Sequence, residues 1–281
     1  MEKVGVVLEG GAMRGMYTNG VLDVFLEHNF VADSVIGVSA GALFGINYPS
    51  KQPKRALRYN LKYANDKHYL GWYSFFTSGN MVNTEFAYSL IPFKLDVFDN
   101  QTFKESPIKF YATITNVDTG KAEYVRITDP VAQVDTLRAG GAMPFVSQIV
   151  ELNGHGYLDG GIADSIPIEE CLRMGYKKII VVLTQVKEYR KKPQAEWLIK
   201  SFYFRHPQLA EALLNRWKNY NATLDLIEKL EAEGKIFVVR PTKDLHLARI
   251  ERDPEKLQAM YDLGVENMSS AWNAFQQYLA A

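Results

Sequence analysis

Two short runs of consecutive apolar residues, each ending in small residues, punctuate the first fifty positions. Residues 4–8 (VGVVL) lead into Gly10 and Gly11, and residues 34–38 (SVIGV) lead into Ser39, Ala40 and Gly41. An apolar run without alternation predicts a strand buried on both faces, and the glycines predict a tight turn at its end. Between them, residues 14–27 place Val21, Leu22, Phe25 and Leu26 at helical spacing, and a small-residue helix starts over 40–46. Further strands are predicted at 108–115, 122–127 and 178–183. The stretch SQIVELNGHGYLDGG sets Asn153-Gly154 between two apolar segments, which predicts a hairpin with a tight turn. Helices follow at 130–138 and 167–174.

Strands alternating with helices predict an α/β fold, a mostly parallel sheet sandwiched by helices in three layers, with right-handed crossovers. After residue 186 the texture changes. KEYRKKP is basic and turn-prone, and mainly helical segments follow at 195–204, 209–233 and 255–279, interrupted by a strand-like run at 235–240. The expected organisation is a core over residues 1–186 and a helical C-terminal extension over 187–281, with one strand returning to the sheet.

Composition narrows the class. Of 281 residues, 47% are hydrophobic, enough to bury a sizeable core in one large domain or one domain with an appendage. Thirty-two basic and thirty-two acidic side chains cancel, so no global field draws the chain to nucleic acid or to an anionic membrane. Local basic clusters leave peripheral membrane contact open. The single cysteine, Cys171, excludes an internal disulfide and suits a reducing compartment; its setting, IEECLRMGY, is that of a helix facing a core. The N-terminal apolar run is too short for a signal peptide, and nothing approaches a membrane span, so a cytoplasmic location is expected.

Three segments carry candidate chemistry. In Gly37-Val38-Ser39-Ala40-Gly41 the serine lies between a strand and a helix. A nucleophilic serine has to stand out of the sheet on a sharp turn. Small residues on both sides relieve crowding there, and the following helix directs its positive end at developing negative charge. A plain serine helix cap is the alternative. In EGGAMRG, residues 9–15, successive backbone N–H groups make an anion-binding nest. Acyl transfer needs such donors for the tetrahedral oxyanion, each worth roughly 3–4 kcal/mol. The P-loop lysine and hydroxyl pair are missing, and Asp33 precedes the second strand instead of ending it, so neither a nucleoside triphosphate nor a dinucleotide is indicated.

The third segment is Leu158-Asp159-Gly160-Gly161, which taken alone is an ordinary Asp-Gly turn. It gains interest because no histidine offers itself as a base. His28 ends the first helix, His68 sits in a polar connection, and His206 and His246 lie in charged, surface-like stretches. His155 is four residues from Asp159, roughly 13 Å along an extended strand. No group of His, Cys, Asp and Glu has metal-ligand spacing. An aspartate acting directly on the serine is the economical alternative, with Asp164 assigned to the next helix start.

These three segments, in this order and over roughly the first 185 residues, resemble the patatin-like phospholipase family. The resemblance implies a serine lipid acyl hydrolase of phospholipase A or lysophospholipase type, cleaving carboxylic esters through an acyl-enzyme. Ser39 would be the nucleophile and Asp159 its partner in a dyad. Backbone N–H groups around Gly10, Gly11 and Ala12 would form the oxyanion hole, with Arg14 supporting the loop and Gly37 and Gly41 shaping the nucleophile turn. No metal or other cofactor is implied. One departure is Ala12, where the family usually carries a third glycine; a positive φ there would make alanine costly. The C-terminal portion resembles the extra helical segment of some bacterial members.

The expected partner is a lipid or other ester, with no nucleic acid; the oligomeric state is not legible. KHYLGWYSFF (67–76), TEFAYSLIPF (84–93) and WLIKSFYF (197–204) supply aromatics for an acyl groove or a bilayer-facing surface, with Lys200 and Arg205 meeting head groups. Core packing is the plainer role for most of them. A non-lipid esterase or thioesterase with the same dyad, and a catalytically silent lipid-binding protein in which Ala12 spoils the hole, remain open.

Overall fold

β1 (Val4–Leu8) sends Val6 and Leu8 into one core and Val7 into another, which is why its apolar run shows no alternation. A computed structural model describes residues 2–281. After β1 come α1 (Gly15–Glu27), β2 (Ser34–Val38), α2 (Ala40–Gly45), α3 (Arg55–Tyr63), α4 (Trp72–Ser78) and α5 (Asn100–Glu105). A wide helical stretch, Phe86–Leu95, lies between α4 and α5. The chain continues through β3 (Lys109–Asn116), β4 (Ala122–Ile127), α6 (Val134–Gly140), β5 (Val150–Leu152), β6 (His155–Asp159), α7 (Ile168–Arg173) and β7 (Lys178–Val182). It ends with α8 (Glu196–Phe202), α9 (Pro207–Ala232), β8 (Ile236–Val239) and α10 (Pro254–Ala280).

The fold is α/β. Eight strands form one sheet in the order β5-β6-β3-β2-β1-β7-β8, with β4 also paired to β3. From β3 across to β8 the neighbours run parallel, while β4, β5 and β6 add antiparallel pairs. α1, α2, α3 and α10 cover one face; α7 and α9 cover the other over β1, β7 and β8. A third apolar cluster ties the β5–β6 hairpin to α6, α8 and the start of α9. The run at 235–240 returns to the sheet as β8, parallel to β7.

One detail of register positions the site. β2 pairs with β3 only as far as Val38 opposite Thr113. β6 then takes the vacated edge of β3, beginning with Asp159 opposite Ile114. β4 occupies the other edge of β3 at the same residues, so β6 has nowhere else to pair. Asp159 is thereby delivered to the level at which the chain leaves β2 through Ser39.

Two stretches differ from the pattern-based expectation. The helix expected at 130–138 begins only at Val134, because the Gln133 side chain accepts from the N–H groups of Thr128 and Asp129 and holds that approach as a turn. The helical segments between residues 55 and 105 were not anticipated: they are short, and Pro92 interrupts the regular ladder of the wide helix.

Candidate active site

Ser39 follows the last residue of β2 and precedes α2, with φ 53° and ψ −125°. That backbone is costly for a non-glycine residue and lifts the side chain out of the sheet. The neighbours permit it through close approach. A Cβ on Gly41 would lie 2.6 Å from the Leu8 carbonyl oxygen, and one on Gly37 would lie 2.6 Å from the Ala42 nitrogen. The turn folds tightly only with glycine at both places.

The Ser39 hydroxyl donates to Asp159 Oδ2 at 2.5 Å. Asp159 Oδ1 accepts from the Gly161 N–H at 2.8 Å, and the Asp159 N–H donates to the Ala142 carbonyl at 2.9 Å. The carboxylate is buried, and burial raises its pKa above the ordinary aspartate value. The Ser39 hydroxyl, the Arg216 guanidinium and the Gly161 N–H pull in the opposite direction without cancelling the rise. A raised pKa makes the carboxylate a better proton acceptor from a serine hydroxyl.

Beside Ser39 runs the loop that follows β1. Among the described residues, the N–H groups of Gly10, Gly11 and Ala12 donate to no protein acceptor, whereas those of Glu9, Met13 and Arg14 do. A Cβ on Gly10 would lie 3.0 Å from the Ser39 Cβ, so this row of free donors passes directly against the serine. Such a row suits a developing oxyanion. Ala12 has φ 49°, so the position that departs from glycine does adopt the left-handed region. Ala12→Gly is therefore expected to stabilise the fold by about 1 kcal/mol, read as a rise of about 2–4 °C in Tm, and to leave turnover within severalfold. A lower Tm would show that the alanine methyl contributes packing that outweighs the backbone strain.

The loop is anchored by a residue to which the motif reading gave no role. The Glu9 carboxylate is buried and accepts from the Thr184 N–H (2.6 Å), the Thr184 hydroxyl (3.1 Å) and the Tyr220 hydroxyl (2.6 Å). A charged residue ending an otherwise apolar strand was the available signal, but its partners lie 175 and 211 residues away. Arg14 holds the loop through its N–H, which donates to the Gly11 carbonyl at 3.1 Å; its side-chain Nε is buried without a hydrogen-bond partner.

Four of the five histidines are engaged elsewhere. His155, His68 and His246 face Asp118, Asp66 and Asp244, and the His28 ring stacks on Trp272 at 3.9 Å. Asp164 accepts from the Tyr124 hydroxyl at 2.7 Å. Burial pushes the Cys171 thiol up to about 12, consistent with a structural thiol. Among the described residues, no group of three or more His, Cys, Asp or Glu side chains is arranged to hold a metal ion.

Ser39 opens onto a cavity of about 150 Å³ whose walls include Leu43, Phe44, Ile91, Leu137 and Met143. Of the aromatic segments, Tyr69, Tyr88 and Phe93 reach this cavity, while Trp72, Phe76, Trp197 and Phe204 are exposed.

The match of residues 6–172 to the patatin-like phospholipase family places the chain in that family. Residues 206–280 match a second family, described as a domain of unknown function (DUF6363). Among curated relatives, the uncharacterized protein YjjU of Escherichia coli is 29% identical over 93% of this chain and 75% of its own length. The probable lipid hydrolase 463L of Invertebrate iridescent virus 6 is 24% identical over 94% of this chain and 87% of its own. Lysophospholipase NTE1 of Meyerozyma guilliermondii is 22% identical over 88% of this chain, which corresponds to only 17% of that much longer protein.

Proposed function

We propose that the chain is a serine lipid acyl hydrolase that cleaves carboxylic esters of phospholipids or lysophospholipids through Ser39, Asp159 and an acyl-enzyme. The observation that carries this reading is the 2.5 Å hydrogen bond from Ser39 to the buried Asp159, set against free backbone donors and an apolar cavity. Family membership and the names of the relatives, lipid hydrolase and lysophospholipase, support a lipid substrate.

In the mechanism, Asp159 accepts the hydroxyl proton as Ser39 attacks the ester carbonyl, a concerted step because serine ionises far above the range of a carboxylate. The N–H groups of Gly10, Gly11 and Ala12 take the oxyanion. Collapse of the tetrahedral intermediate breaks the ester C–O bond, and Asp159 returns its proton to the departing alcohol. Water then attacks the acyl-Ser39 ester by the same route and releases a fatty acid. The test is mass-spectrometric detection of fatty acid released from a panel of lysophospholipids, phospholipids and water-soluble esters. Release from lipid esters is expected; cleavage confined to the soluble esters would refute the lipid assignment.

The state of Asp159 sets a pH dependence. The base works deprotonated, so kcat/KM rises with pH through its pKa, and burial places that acid limb above the 3.8 of an ordinary aspartate. Arg216 lies beside the carboxylate and lowers its pKa, so Arg216→Gln moves the limb to still higher pH. The variant is expected to lose more activity in mild acid than at alkaline pH. A kcat/KM profile with an unmoved limb would count against Asp159 as the titrating base.

The two segments that carry the exposed aromatics meet the same loop, between α6 and β5. The Met81 N–H, just beyond α4, donates to the Val146 carbonyl, and the Phe145 ring lies 5.2 Å from that of Phe202 on α8. The connecting loop also carries Met143 of the apolar cavity. The segments that carry Trp72, Phe76, Trp197 and Phe204 thus flank the loop between α6 and β5, beside the site, where a bilayer surface would present its acyl chains. Trp72→Ala combined with Trp197→Ala is expected to weaken liposome binding about tenfold or more in a sedimentation assay. Unchanged binding by the folded double variant would remove this face from membrane contact.

A further inference from the structure

A second feature lies at the carboxyl ends of β1 and β7. The chain builds outward from β1 to β2 and β3 on one side, then crosses to β7 and β8 on the other, so the strand order reverses between β1 and β7. Open parallel sheets bind ligands outside the carboxyl ends of their strands at such a point. Here a cavity of about 290 Å³ is walled by Lys191, Lys192, Arg216, Trp217 and Arg249, and among the described residues no carboxylate lines it.

Four cations crowd this region: Arg14, Lys191, Arg216 and Arg249. Among the described residues none of the four pairs with a carboxylate within 4 Å, in contrast to Arg190, which holds Asp225 and Glu228. The two nearby carboxylates are already engaged, Glu9 by Thr184 and Tyr220, and Asp159 by Ser39 and Gly161. The Lys191 Nζ instead lies 4.0 Å from the centre of the Tyr220 ring, and the Arg216 Nε donates to the Gly161 carbonyl. Burial, reinforced by Arg216, Arg249 and Arg14 and opposed by Glu9, pushes the Lys191 amine down to about 7. Arg249 is exposed, but Lys191 and Arg216 are half-buried, and holding like charges partly out of water is costly unless an anion completes the group.

The placement says what that anion belongs to. The apolar cavity reaches Ser39, the basic cavity reaches Arg216 beside Asp159, and Arg249 lines both. We propose that the basic cavity binds the phosphate of the substrate head group while the acyl chain occupies the apolar cavity and the ester lies at Ser39. This rests on the hydrolase reading and assigns the head-group contacts to Lys191, Arg216 and Arg249. Lys191, Arg216 and Arg249 all lie beyond residue 172, so the C-terminal part of the chain supplies the selectivity that the family-matched part does not.

The test compares hexanoyl-lysophosphatidylcholine with monohexanoylglycerol, matched in acyl chain and ester, at neutral pH with the full chain and Lys191→Met. The wild type is expected to prefer the phosphate-bearing ester about tenfold or more in kcat/KM. Lys191→Met is expected to raise KM for that ester about tenfold and to leave monohexanoylglycerol within twofold. Inorganic phosphate competes with the lysophospholipid in the wild type and loses that effect in the variant. Lys192→Met, at an exposed position that lines the basic cavity and not the apolar one, carries the same KM comparison if Lys191→Met fails to fold.

Equal kcat/KM on both esters, or an equal loss of both in Lys191→Met, overturns the head-group site while leaving the hydrolase intact. Phosphate that stimulates monohexanoylglycerol hydrolysis without competing with the lysophospholipid also overturns it, in favour of an effector site. If neither ester is cleaved by the folded wild type, the hydrolase reading fails, and phosphorus NMR titration with glycerophosphocholine then decides the anion site. Binding that weakens in Lys191→Met upholds the site; no binding, or equal binding, overturns it.

Discussion

Ser39→Ala is expected to lower kcat by about 10⁵-fold, and Asp159→Asn by about 10⁴-fold, with folding intact in both. In the proposed mechanism the serine supplies the atom that forms the acyl-enzyme, so nothing in the site replaces it. Asparagine keeps the shape of Asp159, and its amide oxygen can still accept from the Gly161 N–H, but it cannot take the Ser39 proton. The double variant should be no worse than Ser39→Ala alone, because the two residues act as one unit and their effects do not add. The residual rate over water then measures what the free donors of Gly10, Gly11 and Ala12 contribute by themselves. Steady-state kinetics on a chromogenic ester, with circular dichroism as the folding control, reads all three variants. A double variant well below Ser39→Ala would mean that Asp159 does something independent of the serine.

The second large effect is on stability. α10 lies against α1 with the two backbones nearly touching: a Cβ on Gly264 would lie 2.2 Å from the Tyr17 carbonyl oxygen, and one on Gly20 would lie 2.3 Å from that of Tyr261. Both obstacles are backbone, so a methyl group can fit only if the helices separate. Gly264→Ala and Gly20→Ala are each expected to cost about 2–3 kcal/mol, or about 5 °C or more in Tm. Because they act on the same contact, the pair should cost less than the sum. Ser270→Ala, on the exposed side of α10, is the control and should change Tm little. α1 starts immediately after the glycine loop, so the seating of α10 also bears on where the free donors of Gly10, Gly11 and Ala12 stand. Unchanged Tm in both glycine variants would mean that the C-terminal helix does not rest on the core in this way.

How much of this was readable from the residues depends on how local the information is. β1 and β2 fell where their apolar runs placed them, since a strand buried on both faces announces itself by composition over five residues; β4 also lies at the expected 122–127, though it is mostly half-buried. Ser39, Asp159 and the glycine loop were legible because each sits on a turn whose small residues have a steric reason. Their convergence was not legible. It follows from β6 taking over the edge of β3 that β2 vacates, a matter of register between strands 120 residues apart in their key positions. Glu9, Thr184 and Tyr220 stayed hidden because a hydrogen bond across 211 residues leaves no periodic trace. The same holds for Lys191, Arg216 and Arg249, scattered over a turn-prone stretch, a long helix and an irregular loop. The segments α3 to α5 were not legible because they span only nine, seven and six residues, too few for the helical spacing to repeat.

The most direct measurement is labelling with a fluorophosphonate probe, which forms a bond only with an activated serine, followed by peptide mapping of the adduct. The predicted result is a single adduct on Ser39 in the wild type, absent from Ser39→Ala and strongly reduced in Asp159→Asn. A folded wild type that takes no label, or a label that persists in Ser39→Ala, would contradict a nucleophilic Ser39 activated by Asp159.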